Sequence, residues 1–123
     1  MPDVPDLPDL SGDLSAEDAK LVTLARATRA RARSHEGAAV RDLDGRTYAA
    51  AGVRLAHLEL SALEVCVAMA VSSASTGLEA AVVLTDSELV DVAAASDFAG
   101  ADVPVLVGDA TGRIHTRQST HGS

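Results

Sequence analysis

The sequence predicts an α/β fold made of stacked helix and sheet layers, with the element order α-β-β-α-β-α-β-β. Three observations predict it. A helical period opens behind a polar cap, an Asp-Gly step joins two short β-compatible runs, and two continuous apolar runs alternate with helical stretches further on. Continuous apolar runs bounded by turn residues are the pattern of strands buried on both faces of an α/β sheet.

Taken in order, residues 1–14 stand apart. Pro2, Pro5 and Pro8 recur every third position beside Asp3, Asp6, Asp9 and Asp13, so this segment is expected to be an extended, mobile tail outside the core. Ser15 and Asp18 have the spacing of a capping box and start a helix over residues 15–33. Its Leu21, Leu24 and Ala25 face inward, and Arg26, Arg29 and Arg33 form an outward stripe. Residues 37–40 and 46–49 form a hairpin, with Gly45 supplying the positive φ of the turn. Residues 56–74 are apolar nearly all round and read as a helix, ended by Gly77, that must be covered by the sheet and by another subunit. Residues 80–85 are a buried strand. Ser87 caps a helix over 88–98, with Glu88 and Asp91 in its first turn, where the helix dipole favours negative charge. Residues 103–107 make another buried strand, the turn 108–112 leads to an edge strand over 113–116, and 117–123 are a polar tail. The folded domain is therefore expected over residues 15–116.

Composition narrows the function classes. A chain of 123 residues has room for one core. With 2% aromatic residues and a net charge of −8, neither a base-stacking platform nor a phosphate-binding surface can be built, so no nucleic-acid partner is expected. A single cysteine, Cys66, rules out a disulfide framework and any Cys-rich zinc site and fits a reducing compartment. Cys66 lies mid-helix between Val65 and Val67 and reads as a small buried apolar residue, not a nucleophile. No signal-like segment opens the chain, and no apolar run approaches the ~20 residues of a membrane span, so no membrane partner is expected and the chain is expected to be soluble and cytoplasmic. Gly-x-Ser-x-Gly, Gly-x-Gly-x-x-Gly and P-loop patterns are absent.

The element order, together with DAKLVTLARATRARA as the opening helix, GAAVRDLDGRTYAAAGV as the first hairpin and FAGADVPVLVGDATGRI near the end, resembles the cytidine deaminase family across residues 15–116. That resemblance implies a cytidine deaminase-like three-layer α-β-α sandwich. It also implies a chemistry: a Zn²⁺ held by Cys or His lowers the pKa of a bound water, and a neighbouring Glu shuttles protons. The family's signature is C/H-A-E at the start of the second helix and P-C-x-x-C at the start of the third. With one cysteine, a three-cysteine site is arithmetically impossible.

Two registers remain open for the first motif. An ungapped one lays Ser61-Ala62-Leu63 over Cys-Ala-Glu and loses both ligand and shuttle. One helical turn earlier, His57-Leu58-Glu59 lies over His-Ala-Glu and keeps the chemistry. At the second motif, Ser87-Glu88-Leu89-Val90-Asp91 replaces both thiolates with carboxylates. His57, Glu88 and Asp91 could then hold a divalent ion with Glu59 as general acid/base. The resemblance further implies an aromatic YAPYS-x-F loop and a ribose-holding N-x-E pair. Here the chain reads Arg33-Ser-His-Glu36 and Ala49-Ala-Ala-Gly-Val-Arg54 instead.

The joint change of metal ligands and sugar contacts leads to the main expectation: a pseudoenzyme without zinc or any other cofactor, acting as an oligomeric scaffold (dimer or tetramer), a regulatory partner or a binder of an unidentified small molecule. The alternatives are a hydrolytic deaminase of cytidine or a related base, in which zinc would sit on His57, Glu88 and Asp91, and an unrelated α/β interaction module.

Overall fold

Five strands form one mixed sheet in the spatial order β2-β1-β5-β6-β7, and the computed structural model describes this sheet and its helices over residues 7–122. β1 (Gly37–Asp42) and β2 (Thr47–Ala51) form the hairpin expected from the Asp-Gly step, with Gly45 at φ +85° in the turn. β5 (Leu78–Leu84) lies antiparallel to β1 and parallel to β6 (Pro104–Gly108), while β7 (Ile114–Ser119) returns antiparallel to β6.

Alternation along the central strands divides the core in two. Val40, Ala81, Val83, Val105 and Val107 face one side, where α2 (Ala62–Ser72) and α3 (Ala93–Ala99) cover them with Leu63, Cys66, Val67 and Ala95. Ala39, Val82, Leu84 and Leu106 face the other side, covered by Leu21 and Ala25 of α1 (Ala16–Ala32). The result is the expected helix-sheet-helix sandwich. No helix among the described residues is long and apolar enough to cross a membrane.

Several expectations are corrected. The helix foreseen over 56–74 is shorter. Before it stands a second hairpin, β3 (Val53–Leu55) with β4 (Leu58–Leu60), pairing Leu55 with Leu58 around a two-residue turn at Ala56 and His57. The helix begins only at Ala62 because Ser61 and Glu64 form a reciprocal capping box, and it closes at Ser72, ahead of Gly77. Nor does Ser87 cap the next helix. Gln118 on β7 accepts the Val90 amide at 2.8 Å and donates to the Val90 carbonyl at 3.0 Å, which holds residue 90 out of a helix, and α3 starts three residues later.

On α1, Ser15 accepts the Asp18 amide as foreseen, but the Asp18 carboxylate bonds Arg41 instead of returning to Ser15. Leu24 is more than a third exposed rather than inward-facing. Arg29 leaves the outward stripe and donates to the His35 carbonyl at 3.2 Å. The tail boundaries also move. From Leu7 the N-terminal segment is tied down: Leu10 and Leu14 pack on the α1 side of the core, and the Leu10 amide donates to the Ile114 carbonyl at 2.7 Å. Residues 1–6 of the expected tail lie outside the described residues. At the other end β7 continues past residue 116, and Thr120 accepts the Val103 amide at 2.9 Å.

Candidate functional site

The N-terminus of α2 opens onto a cleft of about 650 Å³. Ser34 to Glu36 before β1, Gly52 to Arg54 at the β2–β3 junction, Glu59 and Leu60 on β4, and Thr85 to Ser87 after β5 converge around it. The first turn of a helix presents amide groups without partners in the helix and a partial positive charge, so it is a natural seat for an anion or a metal-bound hydroxide.

Here the chain's own side chains occupy that seat. Glu64 Oε1 accepts the Ser61 amide at 2.8 Å, Ser61 Oγ accepts the Glu64 amide at 3.1 Å, and Glu36 Oε1 accepts the Ala62 amide at 2.7 Å. Glu36 comes from the entry of β1, 26 residues away, and no sequence pattern announced it. Around the rim, Arg54 faces Glu59 at 3.7 Å, and Asp86 lies 3.8 Å from Arg29 and 3.7 Å from His35. These long, solvated pairs add little energy.

α2 begins at Ala62 with Ser61 as its cap, the helix start that the ungapped register assumed. Leu63, which that register lays over the Glu of the signature, is 1% exposed within the core. The helix start that the other register assumed is not found at His57, which sits exposed in the β3–β4 turn. Glu59 lines the cleft, but it is exposed and paired with Arg54. Glu88 and Asp91 are exposed in the loop before α3, where Asp91 Oδ1 accepts the Ala93 amide at 2.9 Å, so they lose the first-turn role foreseen for them. The four candidates are not brought together. Among the described residues no group of three or more His, Cys, Asp or Glu side chains is placed to share a metal ion.

The residues present at the α2 N-terminus therefore do not fit a zinc ion. Ser61 is a neutral hydroxyl committed to capping, and both nearby carboxylates already accept backbone amides. Cys66 lies buried on the core side of α2, where burial pushes its thiol up to about 12, and it donates weakly to the Tyr48 carbonyl.

Comparison with known proteins bears on the fold. The chain superposes on the cytidine deaminase of Burkholderia pseudomallei with a TM-score of 0.70 at 16% identity, covering 87% of this chain and 94% of that one. For the cytidine deaminase of Mycobacterium leprae the TM-score is 0.65 at 19% identity, covering 86% and 95%. No curated protein matches the sequence. A family profile described as cytidine deaminase-like matches residues 14–112, most of the chain, and on that match the protein belongs to the cytidine deaminase-like family.

Proposed function

We propose that this chain is a non-catalytic member of its family, without zinc and without deamination, which works by binding as a scaffold, a regulatory partner or a small-ligand binder. The observation that carries this reading is Leu63. Hydrolytic deamination needs a group that moves a proton between water, ring nitrogen and leaving amine, and a buried leucine offers none. Ser61 lends the same support, since its oxygen is engaged in capping α2 where the family uses a zinc ligand.

Self-association is the second part of the reading. On its outer side α2 joins Tyr48 to line a shallow groove of about 550 Å³ from Val65, Ala68, Met69, Ser72 and Ser73, without a single charged side chain. In a chain with net charge −8, such a neutral face suits a second copy better than open solvent.

Metal analysis of the purified protein, with ultraviolet assays on cytidine, deoxycytidine and cytosine, tests the first part. Less than about a tenth of a zinc per chain and no loss of absorbance are expected, and near-stoichiometric zinc with turnover overturns the reading. Light scattering tests the second part, which a monodisperse monomer at working concentration would overturn.

A further inference from the structure

The charges that line the cleft beside α2 narrow the ligand it would take. Four carboxylates stand there, Glu36, Glu59, Glu64 and Asp86, with one guanidinium, Arg54, and one imidazole, His35. They lie at two levels. At the rim, exposed Glu59 stands 3.7 Å from Arg54, and exposed Asp86 stands 3.8 Å from Arg29 and 3.7 Å from His35, so each rim carboxylate already has a basic group beside it.

The base of the cleft is different. Glu36 and Glu64 are half-buried and accept from the successive amides of Ala62 and Ser61, which makes them close neighbours. The described residues include every Lys, Arg and His side chain of the chain, and none of these lies within ion-pair distance of either carboxylate. The helix end offsets them only in part, since it contributes about half an elementary charge against two full negative ones. Both caps use Oε1, so Oε2 of each carboxylate keeps its lone pairs for a further donor. Beside them the wall is uncharged: Gly52, Val53 and Leu60 line it, and a Cβ on Gly52 would lie 3.5 Å from Glu36 Cγ.

We infer that this cleft binds a small organic cation, a primary ammonium or guanidinium head on a short apolar stem, with the head at Glu36 and Glu64 and the stem along Val53 and Leu60. The inference rests on the proposed metal-free reading, because a bound zinc would itself supply the positive charge that the base lacks. A volume of about 650 Å³ suits a free small molecule, and the half-buried walls focus the negative field on its head. An anionic ligand is disfavoured, because the helix amides that would greet it are already spent on the chain's own carboxylates.

Titration of the full chain with n-butylamine and n-butylguanidine, followed by amide NMR shifts, tests the inference. Saturable shifts are expected at residues 52–54, 60–64 and 85–87, while n-butanol and butyrate, which carry the stem without a positive head, should leave these signals in place. Glu36→Gln with Glu64→Gln keeps an oxygen for each cap and should weaken binding by about tenfold or more. Glu17→Gln with Asp97→Asn removes the same charge away from the cleft and should leave the affinity unchanged. Equal shifts with butanol or butyrate, no saturation by either cation, or equal loss in the two double variants overturns the inference. A blocked Gly-Lys-Gly peptide that binds more tightly than the free amines also overturns it, since the head would then belong to a partner protein. Zinc content separates the two readings. Stoichiometric zinc defeats the non-catalytic reading before any ligand is added, whereas metal-free protein that ignores the amines defeats this inference alone.

Discussion

Glu36 Oε1 accepts the Ala62 amide at 2.7 Å, so the residue before β1 caps the helix that begins 26 positions later. This bond ties the hairpin layer to α2 and fills the helix N-terminus from within. It is charge-assisted, because an ionised carboxylate meets the positive end of the helix dipole. Glu36→Ala should therefore destabilise the protein by about 1–2 kcal/mol, and Glu36→Gln, which keeps an acceptor oxygen but not the charge, by about half as much. Urea unfolding checks both; an alanine variant as stable as the parent would mean that the cap contributes nothing.

On the proposed reading, an acid placed at Leu63 should not create activity. The Leu63 side chain fills the core between α2 and the sheet, so Leu63→Glu buries a carboxylate among apolar neighbours. A loss of about 3 kcal/mol or more is expected, with no deamination gained. Leu63→Ala serves as the control for packing alone, at about 2–5 kcal/mol. A stable Leu63→Glu protein that turned over cytidine would overturn the reading that Ser61, Glu36 and Glu64 leave no room for a metal at this helix end.

Much of the fold was legible because its signals are local. The Asp44-Gly45 turn, the Ser15 cap and the continuous apolar run Ala80–Leu84 each depend on residues within a few positions of one another. The misread parts depend on distant partners or on competing patterns. Val53 and Leu55 alternate on one short strand and Leu58 and Leu60 on the next, but the second runs directly into the apolar α2, so strand and helix merged into one apolar stretch. Ser87, Glu88 and Asp91 imitate a helix start that Gln118 overrides from 28 residues away. That one cysteine cannot make a three-thiolate site was countable in the sequence. That Glu36 takes a place at the same helix end was not, because only the fold brings it there.

Met69 is 37% exposed on the neutral outer side of α2, so a charge placed there should be harmless to a single chain and harmful to a pair. Met69→Lys is expected to shift the protein from oligomer to monomer in light scattering. Monomer stability should stay within about 0.5 kcal/mol, as is usual for surface positions. An unchanged assembly would remove this face from the interface.

Cys66 has no exposed surface, and burial pushes its thiol up to about 12. Thiol reagents at neutral pH should leave it unmodified in the native protein and modify it fully in denaturant. Rapid modification without denaturant would contradict its place in the core.

Acid should destabilise the protein through Asp42. This carboxylate is fully buried at the end of β1, and burial alone raises its pKa. Ser75, the amides of Asp44 and Arg46, and the Arg46 guanidinium at 3.2 Å more than offset that, holding it below its ordinary value of 3.8. A carboxyl whose folded pKa is depressed contributes stability that is fully present above its unfolded value and is lost as pH falls through the folded one. The melting temperature should therefore decline steeply below about pH 4. Two other groups act in the same direction: Asp9, through the amide and hydroxyl of Ser11, and Asp109, whose burial is outweighed by bonds from Thr111 and Arg113. Asp42→Asn should thus lower stability at neutral pH and make the acid limb shallower without abolishing it. Melting curves of both proteins between pH 2 and 7 decide the point: parallel limbs would show that Asp42 is not the group being titrated.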